Sequence, residues 1–72
     1  MEELTRVQKR IYYIIKDFIE QKGYSPSFRE IAALNGNNSV ATIQFHLKRL
    51  RNKGYIDYSD KLSRTITITR EV

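Results

Sequence analysis

Residues 27–69 read SFREIAAL (27–34), NGNN (35–38), SVATIQFHLKRLRNK (39–53), Gly54, YIDY (55–58), SDKLSR (59–64) and TITIT (65–69), and this stretch decides the fold. Ser27 and Glu30 form an S-x-x-E capping box, so a helix starts at Phe28, with Phe28, Ile31 and Ala32 as its apolar face. Asn35-Gly36-Asn37-Asn38 is rich in residues that cap helices and tolerate left-handed backbone. Either Asn38 or Ser39 caps the next helix, over 40–52, whose Ile43, Leu47 and Leu50 share one face with Val40 at its edge. Lys53-Gly54 ends it. YIDY and the strictly alternating TITIT then make a hairpin over 55–69, with Ile66 and Ile68 toward the core and Thr outward. Two helices joined by a short Gly-containing turn form a helix-turn-helix, and a hairpin directly after the second helix is a wing.

Upstream, Thr5 and Gln8 form a T-x-x-Q capping box, and Lys22-Gly23 closes a helix over 5–22. Val7, Ile11, Ile14, Ile15, Phe18 and Ile19 give it one apolar stripe, flanked by Tyr12 and Tyr13. Tyr24-Ser25-Pro26 is a turn. The expected fold is mainly α with a small β-hairpin: a three-helix winged helix-turn-helix in one domain over residues 1–72.

Seventy-two residues are near the lower limit for an unstapled core, and with no Cys there is neither a disulfide framework nor a zinc–cysteine site. Most large apolar side chains are therefore needed for packing. The acidic start MEELTR is unlike a signal peptide, and the longest apolar run, Ile11 to Ile15, is too short to span a bilayer. A soluble, intracellular chain is expected.

The net charge of +5 is unevenly placed. Residues 1–36 carry six Lys/Arg against five Asp/Glu, whereas residues 37–72 carry seven against three. The excess falls on the third helix and hairpin, where a phosphate backbone would be met. Opposite the packed face of that helix stand Ala41, Phe45, Lys48 and Asn52, with Gln44 on the shoulder. Gln can pair with adenine edges, and Ala or an apolar ring can meet a thymine methyl. Lys48 by itself is equally a solvated charge, whereas an exposed Phe45 on a polar face implies a contact. A crowded small domain folding Phe45 inward is the competing placement. Lys61 and Arg64 give the hairpin tip a basic character suited to phosphate or the adjacent minor groove.

Enzymatic chemistry has little to rest on. His46 is the only histidine, beside the packed face, without further ligands for a metal. It reads as a boundary residue or a phosphate contact. The carboxylates are scattered, Asp57 and Asp60 read as surface charges, and no Gly-rich phosphate loop or nucleophile motif occurs. No enzyme, cofactor or small-molecule ligand is expected.

Four segments, LTRVQKRI (4–11), KGYSPSFREIA (22–32), HLKRLRNKGYI (46–56) and SR (63–64), resemble the N-terminal DNA-binding domain of the LexA family, bacterial DNA-damage-response repressors. The resemblance runs over essentially the whole chain without a gap. It implies a winged helix-turn-helix that binds a palindromic operator and represses transcription. It also implies base contacts from Ser39, Ala41, Thr42, Gln44 and Phe45. Asn38, Lys48, Arg49, Asn52, Lys61 and Arg64 are the candidates for the DNA backbone. Ala41 and Phe45 depart from the polar or small residues usual at these positions. Asn35 stands where the family has Leu before the glycine, so the second helix is expected to end a residue early with Leu34 filling the pocket. The family's C-terminal domain, with its self-cleaving Ser/Lys dyad and main dimer contacts, has no counterpart here, as in an excised fragment or a stand-alone domain. A monomer that pairs weakly, mainly on DNA, is therefore expected. Two other functions compete: a winged helix that binds a protein partner through Phe45, and a nonspecific architectural DNA binder.

Overall fold

The structure, a computed structural model, describes residues 3–36 and 39–72. It contains helices α1 (Arg6–Lys22), α2 (Phe28–Leu34) and α3 (Val40–Asn52), then strands β1 (Ile56–Asp57) and β2 (Thr67–Ile68). Each helix starts where a side chain meets otherwise unpaired backbone N–H groups. Thr5 and Gln8 form the reciprocal capping box of α1, and Ser27 and Glu30 that of α2. Ser39 caps α3 by accepting from the Thr42 N–H at 3.1 Å. Gly23, at φ 81°, ends α1 with its N–H bonded to the Ile19 carbonyl, a left-handed turn that glycine adopts without steric cost.

The core lies where the three helices meet the hairpin. Ile11 and Ile15 of α1, Ile31 and Ala32 of α2, and Ile43, Leu47 and Leu50 of α3 are buried with Tyr55, Ile56, Tyr58 and Ile66. Fully covering each large aliphatic side chain contributes about 1.5–3 kcal/mol, and in a chain this short that burial sets the geometry of every exposed face.

Four details differ from the sequence expectation. Tyr12 is fully buried instead of flanking the stripe, because its hydroxyl donates to the Arg70 carbonyl at 2.8 Å and so keeps a partner inside. Val7 is exposed, and Gln8 takes the covered position, where its Oε1 accepts from both the Thr5 N–H and Lys53 Nζ. That second bond, 2.8 Å long, ties the start of α1 to the end of α3. Leu34 does not fill a pocket; it is 58 % exposed, while Asn35 is the buried residue at 8 %. Asn35 falls between Ile31 and Ala32 on the helix wheel, and Leu34 falls to the side.

The fourth is the hairpin. It pairs only two residues per strand, antiparallel, with Ile56 opposite Ile68 and Asp57 opposite Thr67. Beyond this pair the Thr69 N–H still meets the Tyr55 carbonyl at 2.9 Å, but on the loop side the alternating TITIT run does not extend the ladder because side chains take the neighbouring amides. The Ile66 N–H donates to Ser25 Oγ at 3.0 Å, and the Ser59 N–H donates to Thr65 Oγ1 at 2.9 Å. Ile66 is nonetheless buried, Ile68 half-buried, and Thr67 and Thr69 exposed.

Candidate nucleic-acid interface

With Ile43, Leu47 and Leu50 fully buried, the rotation of α3 about its axis is set. Ala41, Thr42, Gln44, Phe45, Lys48, Arg49 and Asn52 all stand exposed on its outward side. Phe45 is 54 % exposed, so the inward placement does not occur. Its ring meets the Arg49 guanidinium at 5.1 Å and the His46 ring edge-on at 5.5 Å. Ser39 is exposed at the N-terminus of α3, its Oγ 2.9 Å from Thr42 Oγ1, so these two hydroxyls satisfy each other in the free domain. His46 is half-buried with Nδ1 covered, which makes it a boundary residue in position. Asn38 lies outside the described residues.

Beside this face sits the wing. An open cleft of about 220 Å³ runs between them, lined by Phe28, Gln44, Asp60, Lys61, Leu62 and Ser63. Lys61 is exposed and Leu62, at the tip, is 66 % exposed. Gln44 of α3 therefore shares one groove with Lys61 of the wing loop.

Two arginines hold the wing, and the sequence reading gave neither that role. Arg51 lies over the Tyr58 ring at 4.2 Å, donates to the Tyr58 carbonyl at 3.3 Å and approaches Asp60 at 3.6 Å. Tyr58 in turn packs edge-on against Phe28 of α2, and burial pushes its hydroxyl pKa up. Asp60 is thus a pairing partner and not merely a surface charge. Arg64 was expected at phosphate; in the free domain its guanidinium, on a side chain still 42 % exposed, is engaged by another element of the fold. Both of its terminal nitrogens meet the Glu30 carboxylate, at 2.7 and 3.1 Å. Those bonds, with the Ser27 backbone N–H, hold the Glu30 carboxyl below its ordinary pKa. No local signal could reveal the pair, because its members lie in different elements and Glu30 already has a local role in the capping box.

Among the described residues, no group of three His, Cys, Asp or Glu side chains could hold a metal ion, and no helix is long and apolar enough to cross a membrane.

Three helices, the third starting six positions after the end of the second, and an antiparallel hairpin beside the exposed face of the third define a winged helix-turn-helix. Residues 1–65 match the family described as LexA DNA binding domain, and the chain belongs to that family. The chain is 39 % identical over 71 residues to the transcription regulator LexA of Synechocystis sp. and 45 % identical over 71 residues to the LexA repressors of Staphylococcus epidermidis and Staphylococcus haemolyticus. The matches cover 99 % of this chain but 34–35 % of those relatives, so it spans about a third of their length.

Proposed function

We propose that this domain binds double-stranded operator DNA sequence-specifically as the DNA-reading part of a transcriptional repressor. As the family resemblance implies, its setting is the cytoplasmic nucleoid and the DNA-damage response. The observation that carries the reading is the exposed side of α3, where Ala41, Thr42, Gln44 and Phe45 project from a helix whose other side is locked in the core. Laid in the major groove, this face brings the Gln44 amide to adenine and the Phe45 ring to a thymine methyl, while Ser39, Ala41 and Thr42 complete the base-contacting set. Lys48, Arg49, Asn52 and Lys61 meet phosphate and fix the register. Arg64, expected in that group, is engaged by Glu30 in the free domain.

The reading requires no cofactor and no catalytic group in this domain. The exposed apolar side chains Val7, Leu34, Phe45 and Leu62 lie on different parts of the fold. Two copies therefore meet mainly on DNA, on half-sites about one helical turn apart. The exposed Phe45 ring favours one second reading, an anchor for a protein partner.

Selection from a pool of randomised duplexes separates these. An enriched palindrome supports operator reading. An unpatterned bound pool means a nonspecific binder, and no binding leaves the protein-partner reading.

A further inference from the structure

The second arm of the wing is fastened to the α1–α2 turn and to α2, not to α3. Ser25 Oγ accepts the Ile66 N–H at 3.0 Å, and the Ser25 carbonyl accepts from the Arg64 guanidinium at 3.2 Å. That guanidinium lies 5.1 Å from the centre of the Tyr24 ring and grips both oxygens of Glu30. Glu30 is fixed in its turn, since its Oε1 accepts the Ser27 N–H at 2.9 Å as part of the α2 capping box. Arg64 makes this grip from a left-handed backbone, φ 57°, a conformation unfavourable for a non-glycine residue. An exposed ion pair alone contributes little. Here, however, core burial anchors the base of the hairpin at Ile56 and Ile66 while the two-residue ladder stops short of the loop, so these contacts bear on the angle at which the loop is held.

We infer that Glu30 and Arg64 form a latch that positions the wing against DNA, making Glu30 a positioning residue for recognition although it lies off the α3 face. This rests on the DNA-binding reading above. Two roles for Arg64 predict opposite signs when Glu30 is neutralised. If Arg64 serves phosphate, removing Glu30's charge frees it and raises the net charge from +5 to +6, and both effects tighten DNA binding. If the pair is a latch, the same change loosens the wing and weakens binding despite the added positive charge.

The test is Glu30→Gln, because Gln at this position keeps the capping box while losing the ion pair. Affinity for the duplex enriched by selection is measured by fluorescence anisotropy, with melting curves to confirm folding. The expected result is a roughly tenfold loss for Glu30→Gln, a comparable loss for Arg64→Met, and a double variant no weaker than the weaker single. Hydroxyl-radical footprints of Glu30→Gln should lose protection on the wing-side flank of each half-site and keep it over the major groove read by α3. Arg64→Met by itself weakens binding under either role, so should Glu30→Gln fail to fold the test is carried by Glu30→Asp, which shortens the reach to Arg64 at unchanged net charge and should weaken binding likewise. Binding of Glu30→Gln equal to or tighter than wild type overturns the latch, as does a double variant weakened by the product of the two singles. A wild-type domain that binds no duplex overturns the DNA reading and the latch with it.

Discussion

The third helix and the wing flank the same groove but are held by different physics. Ile43, Leu47 and Leu50 fix α3 through complete apolar burial, a non-directional force that acts along its whole length. The wing buries Tyr55, Ile56, Tyr58 and Ile66 at its base, but it has only two paired residues per strand, and its loop depends on directional contacts from Arg51, Arg64, Ser25 and Thr65. Burial makes the outward face of α3 rigid. The wing is held by bonds that single side-chain changes can release, so its stability is local and adjustable.

The difference is broken most forcefully at Leu47. Leu47→Ala leaves a cavity beneath the centre of α3 and should cost about 2–5 kcal/mol of global stability, read from denaturant unfolding. In so small a domain that approaches the whole stability. A loss below about 1 kcal/mol would mean that the buried face of α3 does not carry the fold. The matching change in the wing is smaller. Arg51→Met removes the contact with the Tyr58 ring and the bond to its carbonyl, and should cost about 1 kcal/mol. Amide hydrogen exchange should rise at Tyr58 and Ser59 and stay unchanged at Leu47 and Leu50. Equal increases in both regions would show that wing and helix melt as one unit.

The contrast also explains what the sequence made legible. Apolar spacing identified the covered face of α3, and the capping boxes at Thr5/Gln8 and Ser27/Glu30 are both formed. These signals are local, three or four residues long, so they survive in a single sequence. The alternation of residues 65–69 was a true sign of extended chain but overstated the ladder, because it cannot show that Ser25 and Thr65 side chains take the amides. Tyr12 illustrates the same limit: its burial depends on a carbonyl at Arg70, 58 residues away. Leu34 and Asn35 exchanged roles because hydrophobicity favours burying Leu while the turn of the helix buries the next residue. On the candidate interface, exposure of Gln44, Phe45 and Lys48 followed from the helix wheel. The Arg64–Glu30 pair did not, since a charge at a loop tip has no written partner.

A milder perturbation is acid. Glu30 is lowered from its ordinary pKa first by the Arg64 hydrogen bonds, and Glu71 first by the hydrogen bond from Lys16. A carboxylate with a lowered folded-state pKa stabilises the domain above its unfolded value, about 4.3 for Glu, and that contribution is lost as pH falls through the folded value. The melting temperature should therefore hold near neutrality and decline as pH drops below about 4.3, with a shallower decline in Glu71→Gln. An identical acid profile for that variant would remove the Lys16–Glu71 pair, 2.8 Å apart, from the acid response.

The most direct measurement bears on the outward face of α3. Affinities of wild type, Gln44→Ala, Phe45→Ala and Lys48→Ala are compared on the selected duplex and on random duplex across a salt series, with melting curves as controls. Gln44→Ala and Phe45→Ala should each lose about 1–3 kcal/mol on the selected site and much less on random DNA, because base contacts specify while phosphate contacts position. Lys48→Ala should weaken both duplexes alike and reduce the salt slope by about 0.9. If Gln44→Ala and Phe45→Ala keep the wild-type ratio of selected to random affinity while remaining folded, this face does not read the operator.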